Sequence, residues 1–88
     1  MMVYNRGMKT VILYTKLECP LCDKAYNILL NLAIDNPLEI DVIDITHPHN
    51  NIDADKYLTR IPVIARADLE TELEWPFTLE EVQSYLRQ

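Results

Sequence analysis

The first apolar run of the chain, residues 10–15, predicts a β-strand, because it is short, bounded by polar residues and rich in Val, Ile and Tyr. Alternate side chains of a strand point to opposite faces, which puts Val11 and Leu13 on one face. Ile12 and Tyr14 share the other face. Since both faces are apolar, we expect this strand to be buried on both sides and to lie in the centre of a sheet.

The segment that begins at Pro20 has the periodicity of an amphipathic helix. Proline suits the first helical position, where its missing N–H costs no hydrogen bond. The pair Asn36-Pro37 predicts the end of the helix. Its apolar side chains recur three and four residues apart and form one face: Leu21, Ala25, Ile28, Leu29 and Leu32.

Three further strands are predicted along the chain. Alternation of apolar and polar residues predicts a strand over 38–45, and the run at 62–65 predicts another that opens with a proline. Residues 71–73 are expected to pair with the strand at 62–65 as a short hairpin arm. The first two strands are joined by a helix, and such a crossover makes a right-handed parallel unit.

Two helices complete the pattern. Residues 53–58 predict a short helix with Tyr57 and Leu58 turned inward. Thr78 and Glu81 have the spacing of a capping box, which opens a final helix. The apolar face of that helix carries three residues: Leu79, Val82 and Leu86. The predicted order is therefore β-α-β-α-β-β-α.

Length and composition predict one soluble domain over residues 1–88, with residues 1–9 as a flexible leader. The formal net charge is −6 and no basic cluster occurs, which argues against nucleic acid or a membrane surface as partner. No apolar stretch is long enough for a signal peptide or a membrane span. A small secreted domain usually carries more than two cysteines, so we expect a cytoplasmic location.

Both cysteines of the chain lie in one motif, Cys19-Pro20-Leu21-Cys22, between the first strand and the first helix. A thiolate at a helix start is stabilised by free backbone N–H groups and by the helix dipole. A cysteine so placed has a lowered pKa and becomes a nucleophile near neutral pH. The second thiol can then attack the same sulfur and expel a mixed disulfide. The motif therefore predicts dithiol–disulfide exchange.

Two other interpretations of the cysteine pair remain open. A zinc site would need two more ligands, and the candidates are His47 and His49, in a predicted loop over 46–51. Only one residue separates these histidines, whereas zinc fingers place three to five between them. A buried structural pair is the second alternative, but Glu18 and Asp23 flank the motif and argue against burial. We expect no metal.

The dipeptide Ile61-Pro62 is the second candidate feature. It stands at the start of the third strand, some forty residues after the cysteines. One interpretation is a trans proline that opens an edge strand. The other is a cis peptide bond beside the thiols. In that case the backbone of Ile61 pairs with a bound substrate as a short added strand.

The segment YTKLECPLC at 14–22, followed by TRIPV at 59–63, resembles the glutaredoxin branch of the thioredoxin-like fold. The resemblance spans residue 10 to the final helix. It implies an α/β fold of three layers with a four-stranded mixed sheet. The ending LEWPF at 73–77, followed by a helix, resembles a small family of glutaredoxin-like proteins with a CPLC motif.

This resemblance implies a role for each matching residue. Cys19 is the attacking nucleophile and Cys22 the resolving thiol, so the two form the redox disulfide. Pro62 is the cis proline, Lys16 is a cation near the thiolate, and these two and Ile61 form the substrate-binding set. Glutaredoxins carry a Gly-Gly pair after the cis-proline strand to hold glutathione, but this chain has RADLE at 66–70 there. The acidic run of Glu70, Glu72 and Glu74 is also expected to repel an anionic tripeptide. Glutathione is therefore a doubtful ligand.

We thus expect a monomeric thiol–disulfide oxidoreductase that needs no cofactor and acts on protein or low-molecular-weight disulfides through Cys19 and Cys22. The alternative is a non-catalytic role, either as a thioredoxin-fold adaptor or as an iron–sulfur-bridged dimer. Thiolates from two chains suit such a cluster. It would also require external thiols.

Overall fold

The structure is a computed structural model that describes residues 9–88. The leader expected over residues 1–9 lies, except for Lys9, outside the described residues. Four strands form one mixed sheet in the order β2-β1-β3-β4. Their bounds are Lys9–Thr15 for β1, Leu38–Asp44 for β2, Val63–Arg66 for β3 and Glu72–Glu74 for β4. β1 pairs with β2 in parallel and with β3 in antiparallel orientation, and β3 pairs with β4 in antiparallel orientation.

Three helices and one 3-10 turn connect these strands: α1 (Pro20–Asp35), the turn (Pro48–Asn50), α2 (Ala54–Tyr57) and α3 (Leu79–Leu86). The element order matches the predicted order, and β1 lies inside the sheet as expected. The α/β fold with a four-stranded mixed sheet is thus confirmed.

The sheet separates two apolar clusters. One joins the β1 residues Val11 and Leu13 to α1 and α3, and it is the main core. The other is smaller and lies under α2, where Ile45, Tyr57 and Val63 are buried. These clusters make the sheet the middle of three layers.

The second face of β1 is less buried than its sequence predicts. Val11 and Leu13 are fully buried, whereas Ile12 and Tyr14 are half-buried. The reason is the length of α2, which has only four residues and covers only part of that face.

Three leucines expected to point inward are exposed instead: Leu21, Leu58 and Leu79. Each lies in the first turn or at the end of its helix, where fewer neighbouring elements cover a side chain. In α3 the buried face is formed by Val82, Tyr85 and Leu86. The capping box that opens α3 is confirmed, since Thr78 and Glu81 exchange side-chain and backbone hydrogen bonds.

A charged side chain, Arg66 at the end of β3, is buried with 4% exposure. Its guanidinium donates to the carbonyl oxygens of Tyr85, Leu86 and Gln88. The last carbonyls of a helix have no partner within the helix, and a cation there also interacts favourably with the helix dipole. Arg66 therefore fastens the end of α3 to the sheet, which the sequence pattern did not predict.

Candidate active site

The two cysteines lie at the start of α1 and are joined as a disulfide, with Cα atoms 5.2 Å apart. Cys19 is the N-cap residue of the helix, and Pro20 occupies its first position as predicted. Cys22 lies one turn inside and is buried, with 4% exposure, whereas Cys19 is half-buried. The outer cysteine is therefore the more accessible one, as the sequence suggests.

Backbone groups of the first turn surround Cys19. The N–H of Cys22 donates to Cys19 Sγ at 3.1 Å. The N–H groups of Cys22 and Asp23 also lie 3.0 and 3.2 Å from the Cys19 carbonyl oxygen. A sulfur that already accepts a helix N–H is well placed to carry negative charge, because hydrogen bonds to an ionised acceptor are stronger than those to a neutral one.

Glu18 enters the site from an unusual backbone conformation. Its φ is 57°, in the left-handed region that residues with a Cβ seldom adopt. Its side chain is exposed to solvent. Its carboxylate is therefore in water and not buried beside the Cys19 sulfur.

Lys16 lies on the wall of a cavity of about 200 Å³ beside the disulfide. The buried Cys22 lines the same cavity, together with Asp23 and Tyr26 of α1 and Val42 of β2. The structure therefore places Lys16 near Cys22, whereas Cys19 does not line this cavity. It places Lys16 on the side of Cys22 that faces the β2 edge of the sheet.

Ile61 and Pro62 lie at the same end of the sheet as the cysteines. Val63 pairs with Tyr14, so Pro62 stands beside the end of β1, from which the loop to Cys19 leaves. The Ile61–Pro62 peptide bond is cis, as predicted. Pro62 is buried and its carbonyl accepts the N–H of Trp75, so this segment is fixed to the chain just after β4.

A cluster of polar side chains from α2, the loop that precedes Ile61 and β4 was not predicted from the sequence. Tyr57 stacks on Tyr14 with ring centroids 4.4 Å apart, and its hydroxyl donates to Glu72 Oε2 at 2.7 Å. Arg60 donates to Glu72 Oε1 at 2.7 Å and lies 3.2 Å from Glu74 Oε1. We call these four side chains (Tyr57, Arg60, Glu72 and Glu74) the Tyr57 cluster.

Burial and hydrogen bonding shift the pKa values of Tyr57 and Glu72 in this cluster. Burial, and next the hydrogen bond to Glu72, raise the pKa of the Tyr57 phenol far above its usual value. For Glu72, burial alone would raise the pKa. Hydrogen bonds from Arg60 and Tyr57 outweigh that effect, so the pKa of Glu72 lies below its usual value. The cluster thus contains a neutral phenol and an ionised carboxylate at neutral pH.

The segment after β3 differs from what the sequence suggested in one respect. Glu72 and Glu74 were expected to form an acidic run with Glu70 that repels an anionic tripeptide, but both are paired with Arg60. Asp68 is paired with Arg66, 2.9 Å and 2.5 Å from its guanidinium nitrogens. Its carboxylate is therefore already engaged by the protein.

Trp75 and Phe77 pack in the main core, and their rings make an edge-to-face contact with centroids 5.0 Å apart. The bond between Trp75 and Pro76 is also cis, which no sequence signal indicated. His47 and His49 are exposed at the 3-10 turn. Within residues 9–88, no group of three or more potential metal-binding side chains lies together, and no helix is long and apolar enough to cross a membrane.

Two comparisons with known proteins agree with this geometry. A family described as "Glutaredoxin-like domain (DUF836)" matches residues 10–87. The chain belongs to this glutaredoxin-like family. Its fold is similar to a solved structure described as the X-ray structure of Northeast Structural Genomics target protein XcR50 from X. campestris. The TM-score is 0.70 at 25% sequence identity, over 88% of this chain and 95% of the other.

For a member of the glutaredoxin-like family, a close cysteine pair at a helix start indicates a redox function. The thioredoxin-like fold expected from the motifs is also confirmed, through the match in structure.

Proposed function

We propose that this glutaredoxin-like protein is a thiol–disulfide oxidoreductase in which Cys19 attacks and Cys22 resolves. The observation that carries the proposal is the asymmetry of the pair at the start of α1. Cys19 is half-buried and accepts a helix N–H at its sulfur, whereas Cys22 is buried one turn inside. This division suits exchange, because the accessible thiol can attack a substrate disulfide and the second thiol is held where it can reach the Cys19 sulfur.

In the first step the reduced protein attacks a substrate disulfide. The Cys19 thiolate forms a bond to one substrate sulfur, and the bond between the two substrate sulfurs breaks. The other substrate sulfur leaves as a thiolate and takes a proton from water. The N–H of Cys22 stabilises the charge on Cys19 before the attack.

In the second step the Cys22 thiol gives its proton to water, and its thiolate attacks Cys19 Sγ. The bond between Cys19 and the substrate breaks, and the second substrate thiolate leaves. Two electrons have then passed from the protein to the substrate, and the Cys19–Cys22 disulfide remains. An external dithiol, or two thiols, must reduce this disulfide before the next cycle.

Lys16, Ile61 and Pro62 form the proposed substrate-binding set. Lys16 shares a cavity wall with Cys22, and the sheet register brings Ile61 and Pro62 to the same end of the molecule. We propose that the protein acts as a cytoplasmic monomer on protein or low-molecular-weight disulfides. Its net charge of −6 supports a role without nucleic acid or membrane partners.

Glutathione is a weak ligand in this proposal. The support is the segment after β3, where Arg66 and Asp68 are paired with each other and the Gly-Gly pair of glutaredoxins is missing. A chemical-shift titration of the oxidised protein tests this. We expect no saturable shifts below millimolar glutathione, and saturable shifts around Lys16, Ile61 and Asp68 at lower concentration would contradict it.

Steady-state kinetics test the main proposal. The wild-type protein should reduce 2-hydroxyethyl disulfide and a peptide disulfide, with glutathione or thioredoxin supplied in parallel as reductant. Cys19→Ser should abolish turnover. Turnover by Cys19→Ser at the wild-type rate would contradict the role proposed for Cys19. No turnover by the wild type with either reductant would favour the non-catalytic adaptor. Visible absorbance of anaerobically purified protein would instead favour the cluster-bridged dimer.

A further inference from the structure

The strand β2 forms one edge of the sheet, and within residues 9–88 it pairs with β1 alone. It has seven residues, whereas the opposite edge strand, β4, has three. β2 contains no proline, and its register with β1 runs over all seven residues without a bulge. The free backbone groups of such an edge can pair with another chain. β2 is therefore a regular edge to which an extended segment can be added.

The direction of the free backbone groups follows from the hydrogen bonds at the two ends of β2. At one end the Lys9 N–H donates to the Pro37 carbonyl oxygen, and at the other the Ile45 N–H donates to the last residue of β1. In a parallel ladder, successive residues direct their groups alternately towards and away from the neighbouring strand. Counted from either end, the odd-numbered residues of β2 bond to β1. Ile40 and Val42 therefore direct their N–H and C=O groups towards the open edge.

A row of exposed apolar side chains runs along α1 beside this edge. Tyr26, Leu30 and Ile34 follow one another at intervals of four residues, which places them in one row, and all three are exposed. Val42 is opposite Leu13 in the sheet register, so its side chain lies on the α1 face of the sheet. It is 50% exposed and lines the same cavity as Tyr26. We call Tyr26, Leu30, Ile34 and Val42 the apolar strip.

The other face of the same edge is acidic. Glu39 and Asp41 alternate with Ile40 and Val42, so their side chains lie on the face away from α1. Both carboxylates are exposed and take part in none of the ion pairs found within residues 9–88, although Glu39 accepts a hydrogen bond from Thr10 at 3.1 Å. An added strand would therefore meet apolar side chains on one face and carboxylates on the other. A strand that complements this edge alternates between apolar and basic residues.

A second copy of this chain is a poor partner for the edge. If two copies of β2 paired about a two-fold axis at Ile40, Glu39 of each copy would face Asp41 of the other. If the axis lay between Ile40 and Val42, Asp41 would face Asp41. Like charges directly opposite each other destabilise a pair of strands. The net charge of −6 adds to this repulsion, so the edge favours a basic partner over self-association.

We propose that the β2 edge is a docking surface for an extended protein segment in which apolar and basic residues alternate. The segment adds a fifth strand to the sheet through backbone hydrogen bonds to Ile40 and Val42. Its apolar side chains cover the apolar strip, and its Lys or Arg side chains face Glu39 and Asp41. The inference goes beyond the proposed function, because docking at this edge requires neither cysteine.

Titration with short peptides tests the alternating pattern. The probe is a seven-residue peptide of alternating valine and lysine with blocked ends. One control replaces valine by serine and keeps the charge, and another replaces lysine by glutamate and keeps the apolar face. We expect saturable chemical-shift changes at Ile40 and Val42 with the probe, and binding about fivefold weaker or less with either control. A control that binds as tightly as the probe, or no saturable binding of the probe, would overturn the proposal.

Charge reversal tests the acidic face. The double variant Glu39→Lys, Asp41→Lys should bind the valine–lysine peptide about tenfold more weakly, because two attractive pairs become repulsive. The control is Asp55→Lys, Glu70→Lys, which makes the same change in net charge at exposed positions outside β2. It should change the affinity less than about twofold, because at about 0.15 M salt charges more than about 8 Å apart are largely screened. Equal affinities of the two double variants would overturn the proposal.

Amide hydrogen exchange tests whether the edge is free and whether docking uses its backbone. In the protein alone, the amides of Ile40 and Val42 should exchange faster than those of Glu39, Asp41 and Ile43, which bond to β1. Saturation with the valine–lysine peptide should slow the first two selectively, and unchanged exchange would overturn the proposal. So would protection of both amides in the protein alone. Protection lost on dilution would then identify a second copy as the occupant, and protection independent of concentration would identify a cover within one chain.

Discussion

Glu18, with φ of 57°, directly precedes Cys19, whose φ is −120°. The chain thus leaves β1, turns through a left-handed residue and enters the N-cap of α1 in an extended conformation. Left-handed backbone costs a residue with a Cβ about 1–2 kcal/mol. This conformational cost falls on the residue directly before Cys19, the proposed nucleophile.

The first prediction follows from this conformation. Glu18→Gly should raise the free energy of unfolding by about 0.5–1 kcal/mol, because the relief at positive φ exceeds the extra chain entropy of glycine. Chemical denaturation of the oxidised protein measures it. Glu18→Gln is the matched control, since it removes the charge and keeps the Cβ, and its stability should equal that of the wild type. If Glu18→Gly were less stable than Glu18→Gln, the left-handed conformation of residue 18 would not destabilise the wild-type protein, and the prediction would be wrong.

The second prediction concerns the loss of stability at acidic pH. The folded pKa of Glu72 lies below its usual value of about 4.3, so the unfolded chain takes up this proton first as the pH falls. The stability that Glu72 contributes is therefore complete above about pH 5 and is lost as the pH falls further. The wild type should lose stability more steeply between about pH 5 and 3 than Glu72→Gln does.

Denaturation midpoints across this pH range measure the difference. Glu70→Gln is the control, because Glu70 is exposed and takes part in none of the ion pairs found within residues 9–88. It should keep the wild-type slope. The same slope in Glu72→Gln and the wild type would show that the Tyr57 cluster does not stabilise the fold.

Sequence patterns predicted the fold because their signals are local. The spacing of apolar residues located β1 and α1, and the capping box located the start of α3. Burial at element ends was predicted less well. Leu21, Leu58 and Leu79 share the periodicity of their helices but lie where fewer neighbouring elements cover them. Periodicity predicts which face of a helix is apolar. It does not predict how far the neighbouring layer extends over that face.

The cysteine pair of the candidate site was found from its motif, whereas the residues that support it were not. The pattern of residues left the bond before Pro62 open between cis and trans, and the resemblance to glutaredoxins implied the cis form that the structure has. The Tyr57 cluster joins residues of α2, the following loop and β4, and such contacts depend on the tertiary arrangement of three segments. The sequence did not predict the left-handed backbone conformation of Glu18, because glycine and asparagine are the residues that usually indicate such a turn.

The third prediction concerns Arg66. Arg66→Met keeps much of the buried volume but removes the donors to the last carbonyls of α3 and leaves them without these partners. We expect a loss of about 2–3 kcal/mol in the free energy of unfolding. Arg87→Met is the control, since Arg87 is exposed at the end of α3, and it should stay within about 0.5 kcal/mol of the wild type. Equal stabilities would contradict the anchoring role of Arg66.

The identity of the cysteine that captures a substrate tests the central claim most directly. Reduced wild-type, Cys19→Ser and Cys22→Ser proteins are exposed to a peptide disulfide, quenched in acid and mapped by mass spectrometry. The account predicts a stable peptide adduct on Cys19 in Cys22→Ser, an intramolecular disulfide in the wild type and no adduct in Cys19→Ser. An adduct that forms at the same rate on Cys22 in Cys19→Ser would contradict it.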